Sequence, residues 1–166
     1  MLDHNKILLD EAGYKQFLDE LEKLKSKSIT IATKGNESYK DAVGDSWHDN
    51  FDFEQSMRES RTITNRIEKM QEDSNKIKII RKENIGKDKV NIGDIVKIEI
   101  IYDEFDKEEE IIKLTGNYIP DTSEEIKEIT LNSPLGKAIY KNKIGSICNY
   151  KVNDRVIKVR LLEKMN

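Results

Sequence analysis

Along the first half of the chain, apolar positions return every three or four residues. Tyr14, Phe17, Leu21 and Leu24, continued by Ser28 and Ile31, trace a heptad seam in a helix predicted from Asp10 to about Val43. Asp10 is placed to accept hydrogen bonds from the free amides of the first turn, and Glu11 stands where the helix dipole favours an acid. Gly35 costs roughly 1 kcal/mol against alanine inside a helix, so a bend or fraying is expected across Thr33 to Tyr39. A second amphipathic helix is predicted from Asn50 to about Lys78, with Phe53, Met57, Ile63, Ile67, Met70 and Ile77 along one side. Neither helix can bury its stripe alone. Joined by a few residues, they are expected to fold back as an antiparallel pair, an arm on the order of 45 Å long at about 1.5 Å per residue.

Beyond Asn84 the period shortens. β-branched runs with partial alternation occur at Ile95–Ile100, Ile111–Thr115, Ile129–Leu131, Ile147–Val152 and Val156–Leu161, each bounded by polar turn residues. The last two are separated by Asn153-Asp154-Arg155, a connection short enough for a hairpin. Pro134 to Tyr140 reads as a short helix with proline at its first position. The expected fold class is therefore α+β. An N-terminal antiparallel coiled-coil hairpin occupies residues 1–84, and a small, mainly antiparallel β domain with one short helix occupies 85–166. The boundary falls in the polar segment Arg81 to Lys89.

Composition agrees with an elongated element. Of 166 residues, 36% are apolar and 37% charged, poor for one compact globule but normal for helices that keep most of their circumference in water. The net charge is -3 with signs mixed along the chain, which disfavours unaided binding to a phosphate backbone. Cys148 is the single cysteine, and the residues after Met1 lack the apolar core of a secretory signal. No apolar run approaches the ~20 residues that cross a bilayer. A cytoplasmic protein without a membrane span is expected.

The link between the two helices is the most informative stretch for chemistry. Gly44-Asp45-Ser46-Trp47-His48-Asp49-Asn50 precedes Asp52, so three carboxylates crowd together with a histidine and the only tryptophan. Such a cluster suits magnesium, which takes hard oxygen ligands and is often held by one or two carboxylates plus water and a substrate phosphate. It equally suits a solvated turn in which Asp49 or Asn50 caps the second helix. Trp47 offers a contact surface or a ring folded onto Phe51. Zinc and nucleophilic sites fail on ligand count, because His4 and Cys148 lie elsewhere in the chain. Arg58, Arg61 and Arg66 follow the acidic link down the second helix, where they either steer an RNA end by its phosphates or lace a solvent face with charge.

Three segments together resemble the Gre factors of bacterial transcription elongation. They are Leu9-Asp10-Glu11-Ala12-Gly13-Tyr14 followed by Leu21-Glu22-Lys23-Leu24, then Gly44-Asp45 with Asp49-Asn50, and Asn132-Ser133-Pro134-Leu135-Gly136-Lys137-Ala138-Ile139. The resemblance runs nearly end to end, and its last segment is the most specific. It implies a coiled-coil arm followed by a domain similar to FK506-binding proteins. It further implies a monomer that docks its C-terminal domain at the rim of the largest polymerase subunit and passes the arm into the secondary channel. There, tip carboxylates help hold a magnesium ion shared with the polymerase, so that the polymerase cuts the nascent RNA 3′ end of a backtracked complex; the factor itself would be no enzyme. Carried across, Asp45 and Asp49 take the metal-binding role, with Trp47, His48 and Asn50 supporting the tip, while Ser133, Pro134, Leu135 and Lys137 fall on the docking segment. The usual family motif places a glutamate three residues after the first acid. This chain has an aspartate four residues after. That departure motivates an alternative, a channel-binding regulator that modulates or inhibits transcription without cleavage.

Overall fold

A computed structural model describes residues 6–41, 51–121 and 125–165, with side chains described outside 34–41, 52 and 53. The element order is β1 (Ile7–Leu9), α1 (Glu11–Asp41), α2 (Phe51–Ser74), β2 (Ile77–Ile79), β3 (Ile95–Ile101), β4 (Lys107–Thr115), β5 (Lys127–Thr130), α3 (Pro134–Ile139), β6 (Ile147–Val152) and β7 (Arg155–Met165). The chain divides into two compact units, one of residues 17–76 and one of residues 1–16 with 77–166.

The helical unit follows the heptad seam closely on α1. Phe17 and Ile31 are buried and Tyr14, Leu21, Leu24 and Ser28 half-buried, while the residues between them are mostly exposed. On α2 the buried line runs through Ser56, Ser60, Ile63, Ile67 and Met70. Met57, expected on that line, is 43% exposed. Among the described side chains the seam thus mixes apolar residues with the half-buried Ser28 on α1 and Ser56 and Ser60 on α2. Gly35 does not interrupt α1, which continues to Asp41. At 31 and 24 residues the helices are about 46 and 36 Å long. Because β1 and β2 pair in register on either side of this excursion, Ile7 with Ile77 and Leu9 with Ile79, the chain that leaves at Leu9 is back at Ile77. The two helices between must run in opposite senses.

The sheet unit holds five strands in the order β5-β4-β3-β7-β6, all antiparallel except β4 with β5. Alternation on β3 sets the core face: Val96, Ile98 and Ile100 are buried, and they meet Ile112 and Leu114 of β4, Val159 and Leu161 of β7 and Cys148 of β6 in one core with Leu131, Leu135 and Ile139. The β6–β7 hairpin closes through Asn153 and Asp154 at φ 46° and 67°. Two consecutive residues at positive φ make the turn whose twist matches the strands.

Two expectations are corrected. Ile77 belongs to β2, because α2 ends at Ser74. The expected single cut at 84/85 is replaced by a nested division, because β1, β2 and the foot of α1 count with the sheet. The segment 81–89 is also no free linker. Arg81 pairs with Glu11 (3.0 Å), Lys82 with Asp94 (3.3 Å) and Glu83 with Lys141 (2.7 Å), and Asn91 Nδ2 donates to the Glu83 carbonyl at 2.6 Å.

Candidate functional site

The acidic link itself, with Asp45, Trp47, His48, Asp49 and Asn50, lies outside the described residues. What the structure describes is the framework that carries it. Within the sheet unit, the first turns of α1 are held by specific contacts. Asp10 caps it, its Oδ1 accepting from Gly13 N at 2.7 Å. A Cβ at Gly13 would lie 2.1 Å from the Gly116 carbonyl oxygen, so only glycine lets the helix approach the end of β4 this closely. One turn on, Gln16 Oε1 accepts from Tyr118 N and Ile119 N at 3.0 Å each, while its Nε2 donates to the Ile119 carbonyl at 3.1 Å.

Asn132 does the same for β1. Its Oδ1 accepts from Leu8 N at 2.8 Å and its Nδ2 donates to Leu8 O at 2.9 Å, replacing both ladder bonds a neighbouring strand would make. Ser133 then caps α3, its Oγ accepting from Gly136 N at 3.0 Å and donating to the Thr130 carbonyl at 2.8 Å. A Cβ at Gly136 would stand 2.1 Å from that same carbonyl oxygen. Leu135 is buried in the sheet core. Capping and packing therefore account for Ser133 and Leu135, whereas Pro134 is exposed and Lys137 half-exposed on the surface of the short helix.

The arginines of α2 are spread along the helix. Arg58 bonds Glu54 at 3.1 Å with both side chains largely in water, an i,i+4 pair worth about 0.3–0.5 kcal/mol. Arg61 is exposed and Arg66 half-buried. No two of the three are brought together by a contact of their own among the described residues.

Two buried carboxylates, in stretches with no motif to mark them, lie in the sheet unit. Asp94 accepts from Asn91 N at 2.7 Å and pairs with Lys164 at 2.6 Å and Lys82 at 3.3 Å. Glu128 pairs with Lys113 at 3.0 Å and accepts from Asn117 Nδ2 and Asp121 N. Burial by itself would raise the Glu128 pKa, but those three hydrogen bonds and the Lys113 charge outweigh it and hold the carboxyl below its ordinary value. Both sites are closed by their own cations. Burial pushes the Cys148 thiol up against a weak opposing contact from Ser146 Oγ, so it behaves as a small core hydrophobe.

A capped start of α1, two helices that flank an acidic link in the sequence and a clamped asparagine-serine-proline segment are thus found on one chain. The family model for the C-terminal part of transcription elongation factors GreA and GreB matches residues 85–163. The similarity extends beyond that domain. The transcription elongation factor GreA of Thermoanaerobacter pseudethanolicus is 31% identical over 158 residues, covering 95% of this chain and 96% of that protein. Its counterpart in Clostridium botulinum is 32% identical over 166 residues and covers 98% of both. The chain belongs to the GreA/GreB family. Among solved structures, GreA factor homolog 1 of Thermus thermophilus is 19% identical, covering 97% of this chain and 99% of that one at a TM-score of 0.42. The assignment rests on the sequence relatives. For this Gre factor the Asn132–Ile139 segment is first of all a fastening: Asn132 holds β1 and Gly136 permits the close crossing over Thr130. Nothing local to Asn132 shows its role in the sequence, and Gln16 and Gly116 carry no local signal, because their partners lie about a hundred residues away.

Proposed function

We propose that this chain is a secondary-channel factor of bacterial RNA polymerase that rescues backtracked elongation complexes by stimulating the polymerase's own transcript cleavage. The observation that carries the proposal is end-to-end similarity to GreA relatives, in a chain whose α1 and α2 flank the acidic link. In this reading Asp45 and Asp49 present hard oxygen ligands to a magnesium ion shared with the polymerase, which when bound would polarise a phosphoryl oxygen and activate water. Trp47, His48 and Asn50 support the tip, Arg58, Arg61 and Arg66 guide the RNA 3′ end, and Pro134 and Lys137 face the polymerase rim. The factor acts in the cytoplasm as a monomer and carries no nuclease centre of its own. No helix among the described residues is long and apolar enough to cross a membrane.

The test is RNA shortening in stalled, backtracked polymerase complexes with magnesium. Addition of the protein is expected to raise the cleavage rate, and Asp45→Ala or Asp49→Ala to lower it by on the order of a hundredfold, the scale of a displaced catalytic group. An unchanged rate with the wild-type protein sinks the cleavage assignment. Competition with an active cleavage factor, without shortening of its own, would select the regulatory alternative, which the four-residue step from Asp45 to Asp49 favours.

A further inference from the structure

The β3–β4 hairpin carries a feature that neither the fold nor the proposed cleavage function uses. Phe105 at its apex is 97% exposed, and Tyr102 beside it 48%. The turn is held in one conformation: Asp103 Oδ1 accepts from both Phe105 N and Asp106 N at 2.7 Å, and Tyr102 N donates to the Asp106 carbonyl at 3.0 Å. A phenyl ring left in water on a turn whose backbone is held forgoes the stabilisation of burial, which marks it as an anchor for something else.

Its surroundings define the partner's charge. Residues 103–110 contain six carboxylates and one lysine. Lys97 pairs with Glu109 at 2.6 Å and Lys127 with Glu110 at 2.9 Å, and Asp103 is engaged by the turn amides. Glu104, Asp106 and Glu108 are left exposed around Phe105. The neighbouring β6–β7 hairpin, whose Lys158 stands opposite Ile101 of β3, carries cations instead, with Lys151 paired to Asp154. Since β5 pairs with β4 only from Ile112 onward, Lys107–Glu110 have no strand partner on that side among the described residues. Charge on such an edge prevents stray pairing, which accounts for Glu108 to Glu110. It does not account for a phenylalanine exposed on that turn. Phosphate backbones and anionic lipid surfaces are repelled here, which leaves a basic protein segment with an apolar socket. The hairpin lies at the opposite end of β4 from β5 and the α3 segment, so it is a second contact separate from Pro134 and Lys137.

We infer that the Tyr102–Glu110 hairpin is a docking surface for a lysine- or arginine-rich segment of the polymerase, with Phe105 as the buried anchor; the inference rests on the proposed function for the identity of that partner. The experiment is equilibrium binding of the full chain to purified bacterial core RNA polymerase at low and high salt. Phe105→Ala is expected to weaken binding about tenfold with an unchanged melting temperature, since the ring is 97% exposed. Glu104→Gln with Asp106→Asn is expected to weaken binding at low salt and flatten its salt dependence. Binding of these variants within twofold of wild type overturns the inference and leaves the proposed function standing. Failure of the wild-type chain to bind overturns both. Concentration-dependent dimerisation that Phe105→Ala abolishes, seen by sedimentation, assigns the surface to a second copy and also overturns the polymerase contact.

Discussion

The sheet unit and the helical unit bury apolar surface in different ways. In the sheet unit, Val90, Val96, Ile98, Ile112, Leu114, Leu131, Ile139, Val159 and Leu161 are wholly removed from water, and two buried carboxylates are closed by lysines and amides. In the helical unit only Phe17 and Met70 are fully buried among the described residues, with Ile31 and Ile63 nearly so, and the seam passes through Ser28, Ser56 and Ser60. In the sheet unit the three-dimensional core is shared by every strand, so a cavity in it is felt by the whole unit. A helical pair with a one-dimensional seam loses grip as that seam turns polar. Lower local stability is therefore expected in the described part of the helical unit than in the sheet unit.

The largest effect that would test this contrast is cavity formation in the sheet core. Leu114→Ala should cost about 3–4 kcal/mol, seen as a fall in the main unfolding transition by calorimetry, while Ile31→Ala in the helical unit should leave that transition in place. Equal losses would break the comparison. Next comes the fastening at the arm's foot. Asn132→Ala leaves Leu8 N and O without partners at an expected cost of about 2 kcal/mol, and hydrogen exchange should rise first at β1.

A smaller effect has a defined pH window. Because the Glu128 pKa is held below its ordinary value of 4.5, its contribution is complete above that value and is lost as pH falls through the lower, folded-state value. Acid unfolding of the wild-type sheet unit should therefore be steeper below pH 4.5 than that of Glu128→Gln, which should be less stable at pH 7. The smallest expected change tests the seam. Ser60→Leu should stabilise the helical unit by about 1 kcal/mol and slow exchange in α2 without moving the sheet transition. No slowing would mean that the serines do not limit the pair.

Periodicity made much of this architecture legible before any coordinates. The positions of α1, the bulk of α2, the β6 and β7 hairpin and the proline-led α3 all follow from local pattern and turn chemistry. Strand β4 starts at Lys107, four residues ahead of its apolar run, because pairing with Ile98–Ile101 draws the acidic stretch into the sheet. Strands β1 and β2 are three residues each, too short to show a period, and they exist because each supplies the other's ladder bonds. Met57 looked apolar enough for the seam, yet the buried line falls on Ser56 and Ser60, since packing geometry, not hydropathy alone, selects which side of a helix is covered.

By itself the sequence determined the helix phases, the alternating face of β3, the turn at Asn153-Asp154 and the family, because each depends on residues close in the chain or on a motif read directly. Only the tertiary structure decided that Asn132 clamps Leu8, that Gln16 closes on Tyr118 and Ile119, that Gly13 and Gly136 are sites of close backbone approach, and that Phe105 stands bare on a locked turn. Those depend on which distant backbone groups are left needing a hydrogen bond, or which surfaces are left uncovered, once the chain has folded.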